Sequence, residues 1–494
     1  MSADTGEFML HDSNVAIYKQ AIARYSDMPP FHPPEVYPEY SLQTTLDRSN
    51  EVYGSIRNSL HLLKFDVHNF GTPLWNPFGH FIFPGDTVML KPNMIAPSHE
   101  NNDQWLHVIT HGSVIRAIVD YVYIALRSNG RIIIADAPQT DSDINLIKER
   151  CGIISLQELY WRQKKFEIEF MDLRTEYWVR KDGVYIDILK LLGDPRGNTS
   201  INLGKKSFFN EHSGQGKRYY GAFYDLDETN HHHNDDVHEY MISRSALDSD
   251  VFISIPKLKT HKKVGVTLNI KGLVGINGNK NWLPHYAIGS PDENGDQFIK
   301  RTLSTHLENG LVLRAKKLLL GRNSLIQALA QKSRGAAYRL FGKTSDVIRS
   351  GNWYGNDTCW RMTLDLNHLL LYGNGDGTMR ETPKRYFSLV DGIIGMEGNG
   401  PVAGNPKPAG LIIAGANPLA TDLACTYLMG FDYRKIPMLY RAFDDGLYPL
   451  ADFSPQDIHI HSNQSSIAGS LPNLTHDRQL HFEPPLGWKG HMEF

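Results

Sequence analysis

Thr87-Val-Met-Leu-Lys91-Pro-Asn93 and, further along, Arg131-Ile-Ile-Ile-Ala135-Asp136 decide the fold. Each is a short apolar run of buried-strand length that ends in polar residues. Between them, Ser113–Ser128 carries Val114, Ile115, Ile118, Val119, Val122 and Ile124 at helical spacing, with Thr110 as the expected cap. Strand, helix, strand is a βαβ unit, and therefore a parallel sheet. Ligands bind at the carboxyl ends of such strands. Lys91, Asn93, Thr110, His111 and Arg116 at the first edge become candidates, as do Asp136, Gln139, Asp141 and Asp143 at the second.

Reading outward, residues 1–85 form an N-terminal wrap with amphipathic stretches around Asn14–Tyr25 and Asn50–Lys64. In the second, Val52, Ile56, Leu60 and Leu63 keep a helical spacing, whereas the prolines of Pro29–Pro38 exclude a helix. A first α/β lobe spans 86–300, including the strand Asp250–Pro256 and a basic loop, Lys257–Lys263. A helical insertion covers 301–350. A second α/β lobe, 351–462, holds helix Thr358–Tyr372, strands Arg385–Val390 and Ala409–Ala414, and helix Leu419–Met429. Residues 463–494 read as a loose tail. The expected class is α/β, two lobes of parallel βαβ units around a central cleft.

Composition narrows the function. Of 494 residues, 51 are Lys or Arg and 54 Asp or Glu, a net charge of −3 that argues against a nucleic-acid partner. At 41% hydrophobic and 21% charged, the chain can bury large cores. Cys151, Cys359 and Cys425 form no CxxC, which excludes a cysteine-held iron–sulfur cluster and points to a reducing, cytoplasmic setting. No secretory signal or membrane-spanning run is expected.

The densest chemistry is Ile255-Pro-Lys257-Leu-Lys259-Thr260-His261, continuing through Lys271 to His285. Five lysines and a histidine lie within Lys257–Lys271, among Gly, Thr and Asn. Ammoniums beside glycine N–H groups make an anion receptor, in which Lys91, Asn93, His111, Lys257, Lys259, Thr260, Asn269, Glu397 and Asn399 are the expected substrate contacts. His261, Lys271, Asp136 and His285 are the expected catalytic groups. Lys271, between apolar residues and Gly272, is expected at a buried floor, where burial and neighbouring ammoniums lower its pKa and make it a nucleophile or covalent anchor. The crowded His231, His232, His233 and His238 are a possible ligand set for a divalent metal, though at no zinc-motif spacing. Asn374–Gly377 reads as a turn, because Tyr372 and Pro383 hold the first and twelfth positions of a would-be calcium loop.

Leu90–Asn93, Thr110–Ser113, Ile134–Pro138, Pro256–His261, Lys271–Gly275, Val390–Gly392, Glu397–Pro401 and Asn417–Asp422 together resemble the family called domain of unknown function 362, over about residues 85–435. The ferredoxin-type segment of many members is missing. Members of this length often sit in cell-surface polysaccharide gene clusters, so the resemblance implies that setting. More distantly, His261, Lys271 and His285 are similar in order and spacing to the metal-site residues of nickel-pincer lactate racemases. That likeness implies His261 and His285 as metal ligands. Asn269-Ile270 departs from the racemase pattern before the lysine, and the nickel-pincer nucleotide itself is not expected.

The functional expectation is an enzyme acting on a small anionic substrate, a hydroxy acid or an activated sugar, by isomerase- or racemase-like chemistry. The alternatives are a non-catalytic protein that binds anions or polysaccharide precursors, and a metal-dependent hydrolase. The sequence names neither substrate, metal nor oligomeric state.

Overall fold

Alternation along the apolar strands sorts their side chains onto two faces of one sheet. Val88, Leu90, Ile132, Ile134, Val251 and Ile253 enter one core, while Met89, Ile133, Ala135 and Phe252 enter the other. The computed structural model describes residues 5–43, 45–181, 184–210, 212, 218–221, 225–302, 348–444, 446–473 and 479–494. The strands of this sheet are β1 (Asn14–Lys19), β2 (Thr87–Pro92), β3 (Arg131–Asp136), β4 (Ile168–Asp172), β5 (Val251–Ile255), β6 (Lys257–His261), β7 (Gly265–Thr267), β8 (Arg385–Glu397), β9 (Asn405–Gly415), β10 (His459–Ser462) and β11 (Gly469–Ser470). Their order is β11-β10-β1-β9-β8-β5-β2-β3-β4, with β6 pairing both β7 and β8.

From β4 to β8 the pairing is parallel throughout. The expected α/β class therefore holds, built on a large, mostly parallel sheet. The chain runs outward from β2 to β4 and then returns to place β5 on the other side of β2. The reversal puts a switch point between the carboxyl ends of β2 and β5, where open α/β sheets bind ligands.

The helices that cover the sheet are α1 (Glu51–Leu62), α2 (Gly112–Leu126), the single turn α3 (Asn269–Gly272), α4 (Cys359–Tyr372) and α5 (Pro418–Met429). Apolar residues of α1 and α2 join one core, those of α4 and α5 the other. The cap of α2 is His111, whose ring accepts the Ser113 N–H. Thr110, the expected cap, instead donates to the Ile255 carbonyl at 2.6 Å.

Several expectations change. The strands assigned to two lobes lie in one sheet, because β5 pairs directly with β8. β8 and β9 form an antiparallel hairpin and not a parallel unit, since the short link between them allows no crossover. The basic loop Lys257–Lys263 begins as strand β6, with every residue from Lys257 to His261 buried. The stretch from Asn14 is a strand that inserts between β9 and β10, so the wrap is built into the sheet. The tail is not loose: Phe482, Trp488 and Met492 are buried in the core. The helical stretches expected at Leu311–Leu320 and Ser324–Leu340 lie outside the described residues.

Candidate functional site

At the switch point, the strand ends bring together the residues that the spacing singled out. Lys91 Nζ at the end of β2 stands 2.8 Å from Asp136 Oδ1 at the end of β3, both side chains buried. Asp136 Oδ2 also accepts the Met94 N–H at 2.7 Å. Gly275, in the turn after α3, lies so close that a Cβ there would stand 1.8 Å from Asp136 Oδ1 and 2.7 Å from Lys91 Nζ. Only glycine lets this turn rest on the ion pair.

The buried lysines divide into two kinds. Six are buried among the described residues: Lys91, Lys257, Lys259, Lys271, Lys280 and Lys384. Lys257 Nζ lies 3.0 Å from Asp391 Oδ2 and donates to the Tyr25 hydroxyl at 2.6 Å. Lys259 donates to the carbonyls of Val108 at 2.8 Å and Pro401 at 3.2 Å. Lys280 reaches the carbonyls of Val274 and Asn277, and Lys384 those of Leu247 and Ser249. Lys271 Nζ makes neither a hydrogen bond nor an ion pair with any described residue. Burying an ammonium without a partner is costly, and the group responds by shedding its charge. Burial, opposed by Cys359 and aided by the Lys91 charge, lowers the Lys271 pKa below 10.5. Burial likewise lowers Lys257, Lys259, Lys280 and Lys384, so the missing partner, not the shift, sets Lys271 apart.

The turn that carries Lys271 is clamped from helices far along the chain. Asp422, buried on α5, accepts the Asn269 and Ile270 N–H groups at 3.0 Å each and the Asn269 side-chain amide at 2.7 Å. Asn367 of α4 donates to the Ile270 carbonyl at 3.0 Å. Asp422 is the lone acid in the otherwise uncharged Pro418–Met429, which is the signal that marks it in the sequence.

Two imidazoles share this neighbourhood, and their backbone partners set opposite tautomers. His261 Nδ1 accepts the Lys263 N–H at 3.1 Å, which leaves the proton on Nε2. His285 Nδ1 faces the Leu283 carbonyl at 2.7 Å and must donate to it, which leaves a lone pair on Nε2. Burial first, and then the charges of Lys271 and Lys263, hold both rings well below 6.5 and therefore neutral at neutral pH. Lys263, inside the basic run but not singled out there, donates to the Ser350 carbonyl and packs 4.9 Å from the centre of the Tyr286 ring. Burial pushes its ammonium down to about 7. Cys359, at the start of α4, feels Lys271 and Lys263 as well, while burial raises its thiol.

The remaining expected contacts are engaged by the protein itself. Thr260 donates to the Gly398 carbonyl at 2.8 Å, and Asn269 is held by Asp422. The Asn93 side chain lies 3.4 Å from Lys259 Nζ. His111 caps α2, with its ring stacked between Tyr25 and Trp105. Glu397 pairs with Lys407 at 2.9 Å and accepts the Glu483 N–H at 3.0 Å, and Asn399 accepts the Leu486 N–H, so both secure the C-terminal segment. Asp136 faces Lys91 and not His261. The His231–His238 side chains are engaged separately: His232 pairs with Glu239 at 2.7 Å, His233 reaches the Trp282 carbonyl, and the His233 and His238 rings pack 5.9 Å apart. Among the described residues no group of three or more His, Cys, Asp or Glu could hold a metal ion, which leaves His261 and His285 with two imidazoles between them.

Residues 205–427 match the family model described as a domain of unknown function, DUF362. The DUF362 match runs from ahead of β5 into α5, and holds His261, Lys271, His285, Asn367 and Asp422. The motifs at Leu90–Asn93 and Ile134–Pro138 lie before it. The chain is also 22% identical over 373 residues to a thylakoid-associated protein of Synechocystis sp., an alignment that spans 76% of this chain and 72% of that protein. Among the described residues no helix is long and apolar enough to cross a membrane.

Proposed function

We propose that this protein is an enzyme that moves protons on a small anionic substrate, a hydroxy acid or an activated sugar, by isomerase- or racemase-like chemistry. The observation that carries the reading is the company Lys271 keeps. It is a buried lysine with no partner among the described residues, close enough to two neutral imidazoles to act on both, one with a proton to give and one with a lone pair to receive it. Lys263, next to Lys271, attracts the anion into a site where low dielectric magnifies its charge. His285 Nε2 takes a proton from substrate carbon, and His261 Nε2–H returns one. Asp136, held by Lys91, serves as structure. The three cysteines are buried and free, which supports a reducing, cytoplasmic location. The activated-sugar arm of the reading would place the reaction in the assembly of cell-surface polysaccharide.

The test is deuterium wash-in. Purified protein is incubated in D2O with single enantiomers of 2-hydroxy acids and with sugar phosphates, and carbon-bound deuterium is followed by NMR. Exchange into one ligand class is expected, with its loss in His285→Gln and His261→Gln. Anions that bind without any exchange would leave a non-catalytic binding protein instead.

A further inference from the structure

We propose that Lys271 is a covalent group, an amine that condenses with the carbonyl carbon of a small 2-oxo acid to form an imine. This deepens the preceding reading and rests on it, because the same site must first admit the anion. The geometric argument is a comparison within one protein. Every other buried lysine among the described residues is tied to a carboxylate, a hydroxyl or carbonyl oxygens, partners that occupy an ammonium and hold it still. Lys271 has no such partner, while the turn beneath it is fixed by Asp422 and Asn367. A fixed backbone with an unengaged amine is the arrangement of a nucleophile rather than of a structural cation. Burial, the largest influence on it, favours its neutral form, which is the form that attacks.

The two imidazoles complete the chemistry. The Nζ lone pair forms a bond to the carbonyl carbon, and the C=O π pair moves to oxygen, which takes the proton from His261 Nε2. His285 Nε2 removes a proton from the nitrogen, giving the carbinolamine. His285 then returns that proton to the hydroxyl, water leaves, and the nitrogen lone pair closes the C=N bond as His261 regains its proton from nitrogen. The sum is amine plus ketone giving imine plus water, with no oxidant, reductant or co-reactant. The ligand class is a carboxylate with an adjacent carbonyl, whose charge is met by Lys263 and whose carbon is met by Lys271.

The experiment is reductive trapping on the full chain. Protein is incubated with pyruvate, reduced with sodium borohydride, and analysed by intact mass and peptide mapping, with melting temperature in pyruvate and in inorganic phosphate measured alongside. One carboxyethyl group per chain, confined to the Lys271 peptide, is the expected result. Since the label is mapped in the unaltered protein, the conclusion does not depend on whether Lys271→Arg folds. Adducts spread evenly over several lysines overturn the inference. Stabilisation by pyruvate or phosphate with no adduct also overturns it, while leaving the anion-site reading in place. Neither stabilisation nor adduct overturns both.

Discussion

Gly275→Ala probes how tightly the Leu273–Ile276 turn is seated on the sheet. The new Cβ would stand 1.8 Å from Asp136 Oδ1 and 2.7 Å from both Lys91 Cε and Nζ, well inside contact distance. Neither partner can retreat easily. Asp136 is held by the Met94 N–H at 2.7 Å, and the Gly275 carbonyl accepts the Ala137 N–H at 2.8 Å. The ion pair must therefore open, or the turn must lift. Opening a buried pair costs about 3–5 kcal/mol, and forcing a methyl group into a packed interior about 1–3 kcal/mol. Relief of one lessens the other, so the expected loss is about 4 kcal/mol, read from the shift in urea midpoint at unchanged slope. Gly272→Ala is the control. Nothing lies within 4 Å of its would-be Cβ, and in a helical turn alanine is expected to leave stability unchanged or raise it by about 0.5–1 kcal/mol. A Gly275→Ala loss below about 1 kcal/mol, no greater than that of the control, would refute the packing argument.

Three further outcomes follow from the site. Asp422→Asn replaces one acceptor oxygen with an amide that confronts the Ile270 N–H, so it should cost about 2–3 kcal/mol and weaken anion binding by loosening the Lys271 turn; calorimetric titration with unchanged affinity would contradict this. Lys271→Arg should abolish ligand binding with little change in melting temperature, because arginine keeps the charge but has neither the compact shape nor an amine to condense. Affinity for anions should be greatest below about pH 7 and fall as pH rises through it, because Lys263, pushed down to about 7 by burial, loses its charge there. An anion favours its protonated form, so binding takes up a proton, and the slope approaches about tenfold per pH unit. A flat profile between about pH 6 and about pH 9 would exclude Lys263 from the site.

The parts of the fold legible in sequence are those where local pattern and burial coincide. Thr87–Lys91, Arg131–Ala135 and the α2 periodicity all lead to buried elements, as do α4 and α5. Direction and partnership are not local properties. Nothing in Arg385–Val390 or Ala409–Ala414 distinguishes a hairpin from a parallel pair, since both strands are buried on two faces. Lys257–His261 reads as a basic loop because its compensation is remote: the Tyr25 hydroxyl accepts from Lys257 and Asp391 balances its charge, one from near each end of the chain. Asn14–Lys19 pairs with strands more than 390 positions away, as its Ala16↔Ala414 register shows. At the site, the burial of Lys271 follows from its apolar neighbours, but its lack of a partner among the described residues appears only once the other five buried lysines have been traced to theirs. The choice of His285 over Asp136 as the partner of His261 likewise depends on Lys91, a strand end away, having already claimed the carboxylate.

The most direct measurement of the central claim is competitive labelling of the native protein with a small amine reagent across pH, resolved by mass spectrometry residue by residue. Lys271 should react with an apparent pKa below 10.5, ahead of the partnered Lys91, Lys257 and Lys259, and a bound anion should protect it. Labelling of Lys271 no faster than those three, or unaffected by any anion, would contradict the assignment of an unengaged amine at the heart of an anion site.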